Sequence, residues 1–383
     1  MQRYPADAEV WFKLADSRYH HGGGPGLAAR PTDVANALDH ALAADSSFAP
    51  AYRHRIELAF GLEGPIVARR LISRYLALGL GPTDAQAMRL LDAMLDPARA
   101  QSPDVERMLD TLSAEALYTA SLVILQWPDS TGMLLRIMRA LPRPRPVRSR
   151  HMASEMGKRL PSAALGLHGH LREAVLMTPV DESIVVRGGQ LGILPDESVR
   201  AAMVRSPGGP WIYLPWLAER HDTGTLGAVV RLADSLARLP ARGPDRRRSA
   251  TYLRQAARAA LALARHDSAA ALGALDVVPD TLLVGAGFAV LRLVSAQLLA
   301  AKGRDREAAE VLDEAPRDGV ISPTLVLIEL ERARIAERMG DKPRAAEGYQ
   351  YVASMWRDAD PELQPFVAEA REALQRVVGE PQR

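Results

Sequence analysis

Two histidines separated by a single residue most resemble a pair of metal ligands in this sequence. His168 and His170 lie in LGLHGHLRE, with Glu173 close behind them. Helical metal ligands are spaced three or four residues apart, because that spacing places both side chains on one face of the helix. At a spacing of two the side chains diverge. The spacing favours histidines at a helix end or on the surface, with a metal site as the second interpretation.

A glycine-rich segment could bind an anion through its backbone amides. The segment is HHGGGPG, residues 20–26, and such loops can point several N–H groups at a phosphate. Phosphate loops follow a strand and open a helix, and no strand pattern precedes this one. The Gly157-Lys158 pair lacks the other residues of a Walker loop. A connection between helices is therefore favoured over a ligand-binding loop.

The motifs of several large enzyme classes are missing from the sequence. A kinase needs a glycine-rich phosphate loop, a strand lysine, a catalytic-loop Asp with Asn, and a metal-binding D-F-G. The G-x-S-x-G elbow of serine hydrolases and the H-E-x-x-H helix of zinc proteases are absent too. Cysteine is absent altogether, which excludes disulfides, thiolate metal sites and cysteine nucleophiles. The sequence predicts a protein that is not an enzyme, with no catalytic residue, no metal and no cofactor.

The balance of charge gives no general attraction to nucleic acid. The chain has 48 Lys and Arg against 46 Asp and Glu, a formal net charge of +2, so an electrostatic partner must be bound locally. Two basic runs lie at residues 136–150 and 246–248, but they lack the aromatic side chains on which bases stack. We interpret them as solvated linkers and do not expect a nucleic-acid partner. Docking of these runs to an acidic partner or to nucleic acid is the alternative.

The clearest organising signal is a spacing of 37 residues in the last third of the chain. Three segments align at this spacing: RHDSAAALGAL from residue 265, KGRDREAAEVL from 302 and MGDKPRAAEGY from 339. Each has a turn residue, then a small residue and then a larger one at the same offsets. The turn residues are His266, Gly303 and Gly340, the small ones Ala271, Ala308 and Ala345, and the larger ones Leu275, Leu312 and Tyr349.

This pattern is typical of a helical hairpin. A helix ends at the Gly or His turn, and a second helix begins at once, whose small Ala lets the two backbones approach closely. Asp267, Asp305 and Asp341 lie at or near the start of the second helix, where a short polar side chain can cap free amides. One pair cannot cover its own apolar faces, so pairs must stack into a curved solenoid.

The aligned turns resemble the second half of the tetratricopeptide repeat (TPR), with its G-D-x-x-x-A-A pattern. Near the N-terminus, Trp11, Leu14 and Ala15 resemble the W-x-x-L-G opening of such a repeat, and ALDHALAADSS, residues 37–47, resembles its closing helix. An insertion at residues 20–33 departs from the pattern and predicts a longer loop, and Ser46 replaces the expected Pro. The resemblance implies an all-α fold, an α-α superhelix that is a TPR-like solenoid of antiparallel helix pairs.

Residues 4–16 and 356–374 resemble the helical-repeat regions attached to bacterial serine/threonine kinases and large transcriptional regulators. This implies a non-catalytic cytoplasmic scaffold for protein-protein interaction, the sensor or adaptor module of a bacterial signalling or regulatory system. The first helix of each pair would then line a concave groove for a protein or peptide partner. The residues that the repeat register places in this groove are Asp16, Tyr19, Gln297, Arg334, Glu337 and Arg338. Plain solvated surface is the alternative for each of them.

Helical periodicity predicts further helices at residues 49–62, 66–78, 83–95 and 103–112. Between about residues 160 and 217 the pattern weakens. There ESIVVRGGQLGIL and GGPWIYLPWL could pass as strands. We expect helix ends and loops instead, because isolated strands would have no sheet to pair with.

Prolines mark the predicted divisions of the chain. In RALPRPRPVRSR three of them forbid a helix and favour an extended path. This predicts a hinge at residues 141–150 between an N-terminal array, 1–140, and a C-terminal array, 151–383, with regular repeats from about residue 250. PARGPDRRRS, residues 240–249, predicts a long loop before those repeats.

The apolar segment at residues 282–301 is long enough to be considered as a membrane span. Arg292 lies near its centre, and inserting an Arg there would cost about 2.5–3.5 kcal/mol. We therefore expect a buried helix and no membrane span. The first residues also lack the pattern of a signal peptide.

Two other functions remain open on the sequence alone. An α/α-toroid enzyme acting on carbohydrate or polyprenyl substrates would have comparable length and helicity, and it would need aromatic platforms and two convergent carboxylates. A small-molecule sensor domain of a transcriptional regulator is the other possibility.

Overall fold

The computed structural model describes residues 6–21, 31–79, 81–125, 127–141, 155–177, 180–206, 210–238, 244–276, 286–313 and 322–379. These described residues form 21 α-helices and contain no strand. Most helices pack against their neighbours in the chain, so the predicted all-α helical repeat is confirmed. The chain divides into two compact units between residues 164 and 165.

The first unit contains the four helices predicted from periodicity, and each agrees with the prediction to within one residue at either end. All four have a proline in their first turn, where the missing N–H would have had no partner within the helix. The helices of this unit are α1 (Ala8–His21), α2 (Pro31–Ala44), α3 (Ala49–Leu62), α4 (Pro65–Ala77), α5 (Pro82–Leu95), α6 (Pro103–Thr111), α7 (Ala114–Ile124), α8 (Thr131–Ala140) and α9 (Glu155–Leu167), whose last turn belongs to the second unit.

The predicted first hairpin is present as α1 packed on α2. Ala15, Leu38 and Ala41 have no exposed surface, so the small side chain on α1 lets the two helices approach closely. Trp11 stacks on the ring of His40, with centroids 4.4 Å apart. The inserted loop between the two helices lies largely outside the described residues.

The second unit corrects two predictions. ESIVVRGGQ forms no strand, as expected, but its nine residues make a whole helix and not only a helix end followed by a loop. The loop predicted at residues 240–249 is wrong from Pro244 onward, because a helix begins there. Its helices are α10 (Leu171–Ala174), α11 (Glu182–Gln190), α12 (Asp196–Arg205), α13 (Leu214–Glu219), α14 (Thr223–Arg238), α15 (Pro244–Ala264), α16 (Ser268–Leu275), α17 (Ala286–Ala301), α18 (Asp305–Asp313), α19 (Pro323–Arg338), α20 (Lys342–Met355) and α21 (Gln364–Gly379).

The three turns aligned by the 37-residue spacing have the same backbone conformation. His266, Gly303 and Gly340 have φ angles of 61°, 72° and 79°, in the left-handed region that ends many helices. The next amide donates to the carbonyl five residues earlier in all three turns, at 2.9 to 3.0 Å. The small residues that follow, Ala271, Ala308 and Ala345, are all fully buried. The predicted equivalence of the turns is therefore confirmed.

Aspartates cap the second helices in two of these three turns. Asp267 accepts a hydrogen bond from the amide of Ala270 at 2.9 Å, and Asp341 accepts one from Arg344 at 3.2 Å. In the middle turn Asp305 is one residue later in the alignment, and it pairs with Arg338 at 2.8 Å instead.

A tight corner joins the end of α9 to the connection between α20 and α21. Gly169 has a φ of 82°, and its carbonyl accepts a hydrogen bond from the amide of Asp360 at 3.0 Å. The buried indole of Trp356 donates to the carbonyl of Leu167 at 3.0 Å. A Cβ on Gly169 would lie 2.4 Å from the Cβ of Ala359, so only glycine fits here without movement.

The apolar segment considered as a membrane span is helical where it is described. None of the described helices has both the length and the apolar character needed to cross a bilayer. Arg292 in α17 is 5% exposed and donates to the carbonyl of Val311 at 3.0 Å. Residues 282–285 and most of the predicted hinge, 142–150, lie outside the described residues.

Candidate functional site

The residues predicted to line a groove fall into two groups, one in each unit. Asp16 and Tyr19 lie on α1 in the first unit. In the second unit, Arg334, Glu337 and Arg338 lie together on α19, and Gln297 is exposed on α17, which packs against α19. Each group has its own chemistry.

On α19, Arg334 is held by two carboxylates. Its guanidinium donates to both carboxylate oxygens of Glu369 on α21, at 2.6 and 2.7 Å, and to Glu331 at 3.0 Å. This paired arrangement is the strong form of an Arg–carboxylate contact. The hydrogen bonds to Glu369 are the main reason that the pKa of Arg334 is raised. Arg334 therefore links α19 to α21.

The other two predicted residues of α19 also reach neighbouring helices. Arg338 pairs with Asp305 of α18 at 2.8 Å. Glu337 accepts a hydrogen bond from the hydroxyl of Tyr349 on α20 at 2.6 Å and lies 3.3 Å from Arg376 on α21. Burial and then the hydrogen bond to Glu337 raise the pKa of Tyr349. Charged side chains of α19 thus contact three other helices, α18, α20 and α21.

On α1, Asp16 belongs to a group that we call the histidine cluster, formed by Asp16, His20 and His54. Asp16 and His20 are four residues apart and share one face of α1, whereas His54 comes from α3. Asp16 Oδ1 lies 3.3 Å from His54 Nε2 and 3.5 Å from His20 Nε2. One potential ligand atom from each of the three lies within 4.8 Å of the others.

A second layer of side chains fixes the orientation of His54. Its ring lies against Tyr19, with centroids 4.4 Å apart, and stacks on Phe12 at 6.5 Å. Glu57 Oε2 lies 3.8 Å from the Nδ1 atom of His54, which is buried without a hydrogen bond. Tyr19 donates its hydroxyl proton to the other oxygen of Glu57. The predicted residue Tyr19 thus supports a site that was not predicted.

The sequence contained one signal for this cluster. Asp16 and His20 have the i, i+4 spacing of helical ligands, but His54 has no local pattern that connects it to α1. The histidines that were considered, His168 and His170, follow α9, and His168 is only 1% exposed. Among the described residues, the histidine cluster alone brings three such ligand atoms together.

A further repeated turn also escaped the sequence analysis. The tripeptide Arg-His-Asp occurs at residues 220–222 and again at 265–267. His221 has a φ of 52°, close to that of His266, and the two rings lie 4.6 Å apart. Asp222 caps α14 by accepting from the amide of Thr225 at 2.9 Å. The separation of 45 residues explains why a search at 37 residues misses this turn.

No protein-family model matches the chain, and a search of curated proteins gives no match. The resemblance to TPR arrays therefore stays a prediction from the residues quoted above.

Proposed function

We propose that this chain is a non-catalytic helical scaffold that binds a protein or peptide partner, as a sensor or adaptor module of a bacterial signalling or regulatory system. The observation that carries the proposal is the equivalence of the turns at His266, Gly303 and Gly340. Equivalent hairpins present equivalent helix faces side by side, and extended surfaces of this kind bind segments of other proteins.

The packing in the second unit favours the first-helix side as the binding face. The first helices α17 and α19 pack against each other, whereas the second helices α18 and α20 make less contact among the described residues. Closer contact on one side bends a stack toward that side. This supports a concave surface formed by first helices, where Gln297 and Arg338 are both exposed.

The side chains of this face suit a partner that carries both positively and negatively charged groups. Arg338 and Glu337 lie next to each other in the chain and are each paired within the unit. A partner segment with a carboxylate and a cationic group could add to these pairs without leaving a charge unpaired. The proposed partner is therefore an extended peptide or a helix with mixed charges.

Site-specific crosslinking tests this proposal. Gln297 on α17 is replaced by the photoreactive residue p-benzoylphenylalanine, and the matched control has the same replacement at Glu310, which is exposed on the second helix α18. We expect a discrete crosslinked partner from position 297 and none from position 310. Equal crosslinking at both positions, or none at either in cells that express the full chain, would reject the proposed binding face.

A further inference from the structure

We propose that Asp16, His20 and His54 bind one divalent transition-metal ion of the class to which Zn²⁺ belongs. This site lies in the first unit, whereas the proposed binding face is formed by α17 and α19 of the second unit. One carboxylate oxygen and two imidazole nitrogens are donors that Zn²⁺ and similar ions prefer. The three residues bring these donors together from two helices that are far apart in the sequence.

The spacing of the donor atoms fits a single ion. Ligand atoms at about 2.0–2.2 Å from a tetrahedral Zn²⁺ lie roughly 3.3–3.6 Å from one another. Asp16 Oδ1 lies 3.3 Å from one imidazole nitrogen and 3.5 Å from the other. The two imidazole nitrogens lie within 4.8 Å of each other, so a movement of the exposed His20 side chain would bring all three donor atoms to the spacing of one ion.

The surroundings of His54 suit a metal ligand, because a carboxylate lies near its second ring nitrogen. A metal-bound histidine usually donates its second ring N–H to a carboxylate, which fixes the ring and its tautomer. Here Nε2 faces Asp16, and Glu57 lies 3.8 Å from Nδ1 on the other side. Nδ1 has no hydrogen bond, and Tyr19 holds Glu57 by its hydroxyl. An ion on Nε2 would leave the proton on Nδ1, directed at Glu57.

The cluster is buried on one side and open on the other. The side chains of His54 and Glu57 are 13% and 16% exposed, whereas those of Asp16 and His20 are 41% and 47% exposed. An ion can therefore enter from solvent and meet a ligand that is already oriented. Three protein ligands leave the fourth position of a tetrahedral ion for water or for a donor atom of a bound molecule.

Titration of the full chain with zinc chloride tests the proposal. The chain is first treated with a chelator, and calorimetry then measures affinity and stoichiometry. We expect one ion per chain, and His20→Ala should lower the affinity at least tenfold because an exposed ligand is lost. Glu57→Gln should lower it by roughly tenfold, as changes beyond the direct ligands do. Circular dichroism of each variant without zinc separates loss of binding from loss of folding.

A matched control removes a histidine from another close pair, in the second unit. His266 lies 4.6 Å from His221 by ring centroids, and His266→Asn should leave the zinc affinity unchanged. Cobalt substitution gives an independent readout, since a four-coordinate Co²⁺ site absorbs visible light strongly, and this absorption should vanish in His20→Ala. Two results would overturn the site: an equal zinc affinity in the wild type and in His20→Ala, or no stoichiometric zinc binding by a folded chain.

Discussion

Two glycine turns in the second unit share a backbone conformation but differ in their surroundings. Gly169 and Gly340 have φ angles of 82° and 79°. A Cβ on Gly340 would meet nothing within 4 Å, whereas a Cβ on Gly169 would lie 2.4 Å from the Cβ of Ala359 and 3.0 Å from Trp356 Cδ1. Gly340 is thus favoured only by its backbone angle. Gly169 is required by its backbone angle and by the approach of another segment.

The difference shows that a local backbone constraint can be recognised in the sequence, whereas a contact between distant segments cannot. The turn at Gly340 is the third of three turns spaced 37 residues apart, because the same local geometry closes these three hairpins. His266 occupies the same position with a φ of 61°, so these turns accept a side chain. The corner at Gly169 joins segments about 190 residues apart in the chain, and nothing nearby in the sequence records its partner.

The largest effect is expected for Gly169→Ala. The left-handed angle costs a non-glycine residue about 1–2 kcal/mol, and overpacking adds about 1–3 kcal/mol. We expect a loss of about 3 kcal/mol from the unfolding free energy of the second unit. Since a chain with two units need not unfold in one step, hydrogen exchange of peptides from residues 160–175 and 355–375 should measure it. A loss below about 1 kcal/mol would show that the corner can relax.

A smaller effect is expected for Gly340→Ala. The added Cβ meets no atom within 4 Å, so only the left-handed angle is penalised, by about 1 kcal/mol. Hydrogen exchange of peptides that cover α19 and α20 should report the change. If this variant lost as much stability as Gly169→Ala, the surroundings of the two glycines would not explain their difference.

His266→Gly, which introduces a glycine at the equivalent position of another turn, serves as the control for Gly340→Ala. It removes the strain of a side chain at a φ of 61°. It also raises the conformational entropy of the unfolded chain, which lowers stability. It also removes the contact with His221, whose ring lies 4.6 Å away. These effects oppose each other, so we expect a stability change within about 0.5 kcal/mol, measured by hydrogen exchange of peptides that cover α15 and α16.

The sequence predicts most of the helices, because their signals are local. Helices α3 to α6 were placed to within one residue, since each combines an apolar period with a proline at its start. The sequence excludes a strand at α11 but does not reveal the whole helix, because three β-branched residues there precede two glycines. A Cβ on Gly189 would lie 2.6 Å from Val199 Cγ2 and 2.9 Å from Trp216 Nε1. Gly189 therefore serves close packing against α12 and α13, and neither glycine ends the helix.

Polar sites were harder to predict than helices. The groove residues of α19 were chosen by their place in the repeat, but their ion-pair partners on α18, α20 and α21 depend on how helices pack. The histidine cluster combines a local pair, Asp16 and His20, with His54 from another helix. Half of such a site follows from helical spacing. The other half depends on tertiary contacts, which composition and periodicity do not encode.

The smallest loss of stability is expected for Glu362→Gln, which removes a negative charge beside the corner at Gly169. Arg172 donates to the carboxylate of Glu362 and thereby lowers its pKa below the ordinary value of 4.5. A carboxyl group with a lowered pKa stabilises the fold above its unfolded-state pKa, and this stabilisation is lost as the pH falls through the folded-state pKa. We therefore expect the variant to be slightly less stable than the wild type at pH 7 and equal to it at pH 2–3. Hydrogen exchange at residues 160–175 across this range measures the difference.

The matched variant for this last comparison is Glu307→Gln, in the turn after Gly303. The pKa of Glu307 is also lowered, by a hydrogen bond from Arg304, but these two residues are only three positions apart, at the start of α18. Breaking it should loosen only the first turn of α18. Because Arg172 and Glu362 join segments 190 residues apart, their pair resists separation of the corner itself. Equal exchange at residues 160–175 in both variants would mean that the corner is held by the packing around Gly169 and not by this charge pair.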